Sequence, residues 1–286
     1  MKLGSLYNQP MSQYKRIGIT VKSGLEDRSE ALESVLNVLS GLNVDILLDP
    51  KRTENIPCAK GIDCYNGEGD IDLLIVIGGD GTILRAIREM KDFSVPILSV
   101  NRGTVGFLSE AELHEAHGLI PILLQGDGVI DQRNTLYVTA HRNNELLLEG
   151  VALNEAVIAQ GTIARLVELK TMVNNEPLAR YHADGLIIST PTGSTAYSLA
   201  AGGPIVHPGM STIILTPINA HSFTQKPIVI RGDAEVEVEV LTKETKYEDT
   251  DVNITLDGQV YVSLQKGDRV KAVMDKRTVK FSEGNG

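Results

Sequence analysis

The sequence Ile71-Asp72-Leu73-Leu74-Ile75-Val76-Ile77-Gly78-Gly79-Asp80-Gly81-Thr82 carries the strongest structural signal in this chain. Six of its first seven residues are apolar, with Asp72 as the exception, and such a run is typical of a strand in a parallel sheet that is covered on both faces. A glycine-rich turn follows, and then apolar residues at helical spacing: Leu84, Ala86, Ile87 and Met90. The stretch therefore predicts a strand, a loop and a helix, with the loop at the carboxyl end of the strand, where open α/β sheets bind ligands.

The loop itself, residues 78–82, has the composition of an anion-binding turn. Its three glycines let backbone N–H groups approach an anion closely, and the amino end of the following helix adds a positive dipole, so we expect phosphate here. Asp80 is unusual in such a loop because its charge opposes phosphate. It could ligate a divalent cation or accept a proton from an attacking hydroxyl. Alternatively, Asp80 only caps the helix.

The segments around this stretch repeat the same α/β pattern. Strands are predicted at residues 17–21, 44–48 and 95–100, and helices within residues 26–42 and 110–125. In the first helix the apolar positions recur at helical spacing: Ala31, Leu32, Val35, Leu36, Leu39 and Leu42. These elements predict an amino-terminal α/β domain with a parallel sheet over residues 15–128, preceded by a leader, residues 1–14, that we expect to be disordered.

From about residue 133 the pattern changes to strands separated by turns. Asn143-Asn144 and Asn174-Asn175 lie where hairpin turns are expected. Residues 234–241 alternate apolar and charged side chains almost strictly, with three valines on one face and three glutamates on the other. We therefore predict a second, mainly β domain over residues 129–265. Residues 266–286 are expected to form final strands and a tail that can return towards the amino-terminal domain.

Composition excludes several kinds of function. The 286 residues are 42% hydrophobic and 22% charged, as in ordinary globular proteins, and their net charge of −10 disfavours nucleic acid as a partner. We find no apolar segment of membrane-spanning length and no signal peptide, so no membrane partner is expected and the predicted location is cytoplasmic. The two cysteines, Cys58 and Cys64, are expected to be reduced thiols rather than zinc ligands.

Several familiar motifs are missing, which narrows the choice of chemistry. The chain lacks the P-loop motif, the Gly-x-Gly-x-x-Gly dinucleotide motif after its first strand and the Gly-x-Ser-x-Gly nucleophile motif. His114 and His117 are three residues apart rather than four, so they are expected to form a polar helix face rather than a zinc site.

Two further segments could bind a nucleotide. Residues 183–203 combine an apolar strand with a dense array of hydroxyls and glycines, and Tyr197 could lie against a base. The alternative is a turn rich in serine and threonine that binds no ligand. Asn154-Glu155 interrupts an apolar run, and an amide beside a carboxylate pairs well with two ribose hydroxyls. Taken alone, however, the dipeptide is better explained by an exposed strand face.

Taken together, these segments resemble the NAD kinase family over about residues 15–281. The resemblance rests on residues 78–82, 101–108, 154–155 and 184–203 and on Asp257-Gly258-Gln259, in the family's order and at compatible spacing. It implies phosphorylation of the 2′-hydroxyl of the adenosine ribose of NAD, with ATP as donor and a divalent cation such as Mg²⁺. It also implies a Rossmann-like α/β domain, a carboxyl-terminal β-sandwich domain, a site in the crevice between them, and assembly as a homodimer or homotetramer.

The resemblance also implies roles for individual residues, without a dedicated metal ligand among them. Asp80 is similar to the catalytic base, with Gly79 and Gly81 in the phosphate loop and Arg85 near the phosphates. The remaining positions resemble the contacts to NAD or ATP. They are Phe107 at the adenosine, Asn154 and Glu155 at the ribose, Arg165 and His182 near the dinucleotide, Asp184 towards the nicotinamide, Gln259 from the β domain, and the adenine-binding residues Thr195, Ala196, Tyr197, Ser198, Leu199 and Ala200.

One departure and two alternatives accompany the resemblance. Many relatives continue past the position of Phe281 into an aromatic and basic tail, whereas here residues 282–286 follow, so we expect a different closure or assembly. Lipid and sugar kinases share the loop at residues 78–82, but lipid kinases carry a further glycine-rich run where this chain has residues 101–106. A module that binds NAD or NADP without catalysis is the other alternative, and the carboxylate of Asp80 beside phosphate argues against it.

Overall fold

The computed structural model describes residues 13–22, 24, 28–101, 108, 111–161, 166–241 and 252–284. The chain divides into two compact units. The first comprises Met1–Asp131 and Val279–Gly286, and the second comprises Gln132–Thr278.

The first unit is a parallel α/β domain, as predicted. Its strands are β1 Arg16–Val21, β2 Asp45–Leu48, β3 Leu73–Ile77, β4 Ile97–Asn101 and β5 Ala111–Glu112. Its helices are α1 Arg28–Ser40, α2 Asp80–Glu89 and α3 Leu113–Leu124, with short 3-10 helices at Pro57–Ala59 and Glu68–Asp70. The strands pair in parallel in the order β2-β1-β3-β4, and β5 also pairs with β4.

Burial in this unit follows the sequence pattern. All five residues of β3 and all five of β4 are buried, as expected for central strands with both faces covered. Helix α1 buries Ala31, Leu32, Val35 and Leu39, which form one apolar stripe at helical spacing. The periodicity of the sequence therefore identified both kinds of element correctly.

The second unit is a sandwich of antiparallel strands. Two strands contain residues of both units: β6 Gly128–Arg142 and β17 Arg269–Gly284. Between them lie β7 Glu145–Ala152, β8 Glu155–Gln160, β9 Val167–Val173, β10 Glu176–Ala183, β11 Gly185–Ser189, β12 Thr212–Ile218, β13 Ile228–Arg231, β14 Val236–Val240, β15 Val252–Leu256 and β16 Val260–Leu264. A 3-10 helix, Thr192–Thr195, and the short helix α4 Tyr197–Ala200 follow β11.

One sheet of this unit has the order β13-β12-β11-β8-β15-β16, and the other contains β10, β9, β14 and β17 in that order, together with the β6–β7 hairpin. Apolar residues from both sheets form one buried core cluster. The predicted β-sandwich is confirmed.

The predicted hairpin turns are also present. Asn143 and Asn144 join β6 to β7, and Asn174 and Asn175 join β9 to β10. All four have positive φ, between 47° and 70°, a conformation that asparagine tolerates better than most residues and that tight hairpins require. In β14 the three valines are buried and the two glutamates are half-buried, which matches the alternation in the sequence.

Candidate functional site

The glycine-rich loop joins β3 to α2 in the first unit. Gly79 is the N-cap of α2, and no side chain forms a capping hydrogen bond there. Asp80 is the first residue of α2, so it is not the N-cap of this helix. Its half-buried carboxylate accepts a hydrogen bond of 3.4 Å from the backbone N–H of Leu108.

The three glycines of this loop differ in what surrounds them. A Cβ atom at Gly78 would overlap the Thr82 side chain, and the φ of Gly78 is +154°, so the fold itself requires glycine there. A Cβ atom at Gly79 or Gly81 would have no described atom within 4 Å. With respect to the described residues, glycine at these two positions therefore leaves space beside Asp80, at the amino end of a helix, where an anion is favoured.

Other predicted residues of this unit are only partly described. Arg85, in the second turn of α2, is half-buried, and no hydrogen bond or ion pair to a described residue engages its guanidinium group. Phe107 and most of the predicted loop 101–108 lie outside the described residues, as does Arg165 of the second unit.

In the second unit, Asn154 and Glu155 lie at the junction of β7 and β8 and are held by a turn from elsewhere in the chain. The carboxylate of Asp257 accepts backbone N–H groups from Leu153 at 2.8 Å, Asn154 at 2.9 Å and Glu155 at 3.0 Å. In return, the N–H of Asp257 donates to the carbonyl of Glu155 at 3.0 Å. This arrangement ties the dipeptide to the turn between β15 and β16.

The Glu155 carboxyl group is in an unusual electrostatic environment. The residue is 7% exposed, and burial together with the nearby charge of Asp257 raises its pKa to about 8, although the backbone N–H of Tyr197 donates to it and opposes the shift. Its Oε2 atom has no hydrogen-bond partner among the described residues. A group with this pKa is mostly protonated at pH 7, so Glu155 could donate as well as accept a hydrogen bond.

Most hydroxyls of the segment 183–203 bond within the protein. Thr190 Oγ1 donates to the carbonyl of Leu153 at 2.6 Å, and Ser194 Oγ donates to the carbonyl of Val206 at 3.2 Å. The Ser198 hydroxyl lies 2.9 Å from that of Thr216, and Thr195 Oγ1 donates to the carbonyl of Thr192 at 3.2 Å. These hydroxyls therefore stabilise the turn itself, which is what the alternative of a turn without a ligand predicts.

What this segment exposes is mainly apolar. Tyr197 is 45% exposed and Leu199 is 40% exposed, and Ala200 is exposed beside them, whereas Ser198 is fully buried. Ala196 is half-buried. An exposed phenol ring beside a leucine on a short, well-anchored helix offers a flat surface of the kind on which a base can stack.

The remaining predicted residues occupy different parts of the second unit. His182, on β10, is exposed, with its Nε2 atom 3.9 Å from Oε1 of Glu168. Asp184 follows β10 and accepts a hydrogen bond of 2.9 Å from Nδ2 of Asn219. Gln259 is half-buried and lies in the same turn as Asp257, two residues further on.

The structure thus brings Asn154, Glu155, Tyr197 and the turn of Asp257 into one hydrogen-bonded group. Three residues without a predicted role hold the predicted ones in place: Thr190, Asn219 and Asp257. A signal for Asp257 was present, because Asp-Gly between two alternating strands favours a hairpin turn. Nothing in the local sequence indicates that its carboxylate reaches Leu153, 104 residues away.

The described residues contain no group of three or more histidine, cysteine or acidic side chains that could hold a metal ion. Both cysteines, Cys58 and Cys64, are free. Among the helices of the described ranges, none combines the length and the hydropathy that a membrane span requires.

Comparison with known proteins connects both units to one family. Residues 22–128 match the family model of the ATP-NAD kinase N-terminal domain, and residues 153–283 match that of the ATP-NAD kinase C-terminal domain. The NAD kinase of Desulforamulus reducens is 37% identical over 265 residues, which are 92% of this chain and 90% of the relative. That of Geobacter sulfurreducens is 45% identical over 199 residues, 70% of this chain and 68% of the relative.

Solved structures give the same result for the fold. The yeast NADH kinase in complex with NADH superimposes with a TM-score of 0.83 at 25% identity, covering 98% of this chain and 85% of that one. An NAD kinase from Archaeoglobus fulgidus in complex with ATP superimposes with a TM-score of 0.72 at 24% identity, covering 94% of each chain. The second likeness concerns the fold alone.

Proposed function

This chain belongs to the NAD kinase family, and we propose that it phosphorylates NAD with Asp80 as the general base. The reaction of the family transfers the γ-phosphoryl group of ATP to the 2′-hydroxyl of the adenosine ribose of NAD, which yields NADP and ADP. In the proposed step, the Asp80 carboxylate takes the proton of this hydroxyl. The hydroxyl oxygen bonds to the γ-phosphorus, and the bond from that phosphorus to the β–γ bridging oxygen breaks, so that ADP leaves.

The observation that carries this proposal is the space beside Asp80. Glycine in a helix is less stable than alanine, by up to about 0.5–1 kcal/mol in the helix interior, and a Cβ atom at Gly81 would meet no described atom within 4 Å. A phosphate group in that space would receive backbone N–H groups and the positive end of the α2 dipole. The carboxylate of Asp80 would then lie beside the reacting phosphate, where a base for the attacking hydroxyl is needed.

The rest of the first unit would contribute to binding the phosphates and adenosine. Arg85 is one helical turn beyond Gly81 on α2, and a half-buried guanidinium group without a described partner suits phosphate oxygens. Phe107 would line the adenosine pocket, a role that rests on the family resemblance alone.

A divalent cation such as Mg²⁺ would enter with the phosphates of ATP. Mg²⁺ in kinases is commonly held by substrate phosphates, waters and one or two carboxylates, and the single carboxylate of Asp80 in the loop fits this pattern without a separate protein cage. When bound, the cation would neutralise negative charge on the transferring phosphoryl group. Asp80 is the one acidic side chain of the loop 78–82 that could hold it.

The second unit would select the acceptor. Asn154 and Glu155 would bind the ribose hydroxyls, and the unpartnered Oε2 atom of Glu155 supports this because a buried polar atom without a partner is unfavourable until a ligand bonds to it. The exposed face of Tyr197 and Leu199 would stack on adenine, with the other residues of 195–200 lining that pocket. Gln259, Asp184, His182 and Arg165 would complete the contacts to the dinucleotide.

Replacement of Asp80 by asparagine tests the proposed base. We expect Asp80→Asn to lower kcat by about 10² to 10⁴, because general-base assistance contributes that much, while the Kd for NAD stays within a few-fold of the wild-type value. Steady-state assay of NADP formation and calorimetric titration with NAD would measure the two effects. Asp45→Asn, which changes an exposed carboxylate at the start of β2, is the matched control and should retain full activity. Wild-type turnover by Asp80→Asn would show that Asp80 is not the base.

We also infer a cytoplasmic homodimer or homotetramer. Two free thiols suit a reducing compartment. In the second unit, Phe223 is 93% exposed and Ile205 is 70% exposed, and burial of either apolar side chain in a subunit interface would favour association. Sedimentation equilibrium should give two or four times the mass of one chain, and a monomer mass at micromolar concentration would contradict this.

A further inference from the structure

The turn between β15 and β16 contains a carboxylate, that of Asp257, which binds the backbone of one short segment of the chain. Asp257 accepts the N–H groups of three consecutive residues, Leu153, Asn154 and Glu155, at 2.8, 2.9 and 3.0 Å. Three N–H donors on one carboxylate form a strong, charge-assisted arrangement that fixes the direction of the backbone. The residue is itself half-buried, which strengthens these bonds relative to water.

The choice of aspartate at this position is unusual within this chain. Among the described residues, seven non-glycine residues have positive φ: Asn55, Asn143, Asn144, Asn174, Asn175, Asn219 and Asp257. Six are asparagine, and Asp257, with φ of 48°, is the exception. Turn geometry is therefore satisfied by asparagine elsewhere in this protein. Asparagine at 257 could accept fewer N–H groups, because one of its two terminal atoms is a donor.

The same segment is held from its other side. Thr190 donates its backbone N–H to the carbonyl of Asn154 at 2.9 Å and its hydroxyl to the carbonyl of Leu153 at 2.6 Å. Gly193 approaches the Asn154 backbone so closely that a Cβ atom would overlap it. Asp257 thus binds the N–H groups of the segment while Thr190 binds its carbonyl groups.

We propose that Asp257 is a positioning residue for the acceptor site, which orients the side chains of Asn154 and Glu155 towards NAD by holding their backbone N–H groups. The proposal rests on the acceptor-binding role proposed above for these two residues. Asp257 acts through them rather than by contact with NAD. Its charge has a second effect, because it contributes, after burial, to the raised pKa of Glu155 and so favours the neutral form of that carboxyl group.

The substitution Asp257→Asn tests this role while keeping a side chain that the turn accepts. We expect kcat/KM for NAD to fall about 10- to 100-fold, because small displacements of substrate-positioning groups have effects of this size, while KM for ATP stays within about twofold. The pH profile should also change. The transition in kcat/KM for NAD that reports Glu155, near pH 8 in the wild type, should move to lower pH once the neighbouring negative charge is removed.

Three control variants separate the possible outcomes. Asn174→Ala removes a positive-φ turn residue whose Oδ1 accepts the Glu235 N–H at 2.9 Å, so it should lower Tm without changing kcat/KM for NAD. Asn154→Ala and Glu155→Gln report the acceptor role directly, and Glu155→Gln should also abolish the pH transition. All assays are run well below the Tm of each variant, so that a loss of stability is not read as a loss of activity.

The results distinguish the two proposals. If Asn154→Ala and Glu155→Gln retain wild-type kcat/KM for NAD, the acceptor role fails and the positioning role fails with it. If those two variants are impaired while Asp257→Asn keeps wild-type kcat/KM and pH profile, only the positioning role is overturned. An impaired Asp257→Asn whose pH transition is displaced, beside an unimpaired Asn174→Ala, would support it.

Discussion

Gly78 and Gly81 lie in one loop but are glycine for different physical reasons. At Gly78 a Cβ atom would overlap Thr82, whereas at Gly81 it would point into space without a described atom within 4 Å. The first glycine is required by packing within the protein. The second meets no such contact among the described residues, and the phosphate proposed above would account for it, so experiment can separate the two positions.

Alanine at each position should produce opposite effects. Gly81→Ala should raise Tm slightly, because alanine favours the helix by roughly 0.5–1 kcal/mol, and should lower kcat/KM for ATP about tenfold or more because its methyl group occupies the phosphate space. Gly78→Ala should lower Tm through steric overlap and positive φ. Differential scanning fluorimetry and steady-state kinetics would measure both. Wild-type kinetics for Gly81→Ala would show that no phosphate binds there.

At the scale of elements, helix α2 is anchored at the end opposite Asp80. Arg52 donates to Asp49 at 2.6 Å and to Glu89, the last residue of α2, at 2.7 Å, and its side chain is 12% exposed. Burial opposes ionisation of Asp49, but hydrogen bonds from Thr20 and Arg52 outweigh it and lower the pKa of that carboxyl group. The bridge ties α2 to the segment that follows β2.

Removal of Arg52 should therefore destabilise the first unit. Among the described residues, Arg52→Ala would leave the buried Asp49 charge with the Thr20 hydroxyl and the Lys51 N–H as donors, and we expect a loss of about 2–4 kcal/mol in the free energy of unfolding. Arg231→Ala is the control, since its partner Asp233 is exposed and such pairs contribute about 0–1 kcal/mol. Urea unfolding would compare the two, and equal losses would mean that the bridge has no special role.

At the scale of the whole molecule, each of the two units contains residues to which a role is proposed. The first contains the phosphate loop with Asp80, and the second contains Asn154, Glu155 and the exposed Tyr197. The second unit also contains a buried carboxyl group whose titration affects folding, because Glu155 has a pKa of about 8 in the folded chain and an ordinary value of 4.5.

This difference predicts how stability depends on pH. Between pH 4.5 and about 8 the unfolded chain releases the Glu155 proton while the folded chain retains it, so the stabilising contribution of the protonated form is lost as pH rises. Glutamine at this position cannot ionise. The free energy of unfolding of Glu155→Gln, measured relative to that of the wild type, should therefore be higher at pH 9 than at pH 5 by a few kcal/mol. Urea unfolding at both pH values would measure it. Parallel curves for the two proteins would show that Glu155 titrates normally.

Much of the architecture was predictable because its signals are local. The apolar run before Gly78, the stripe of Ala31, Leu32, Val35 and Leu39, and the paired asparagines of two hairpins each reflect backbone preferences within a few residues. The residue types at Asp80 and Asn154-Glu155 likewise indicated the chemistry. Where the hydroxyls of residues 190–198 point was not predictable, since their partners include Val206 and Thr216, which belong to other segments.

The sequence alone establishes the kind of each element and the class of chemistry, because helical and strand periodicity, glycine and a lone carboxylate act over a few neighbouring residues. The folded arrangement establishes which polar groups meet. Asp257 bonds to Glu155 across 102 residues of sequence, and burial beside it keeps that carboxyl group neutral at pH 7. Contacts of this kind depend on strand order and packing, and no local pattern encodes them.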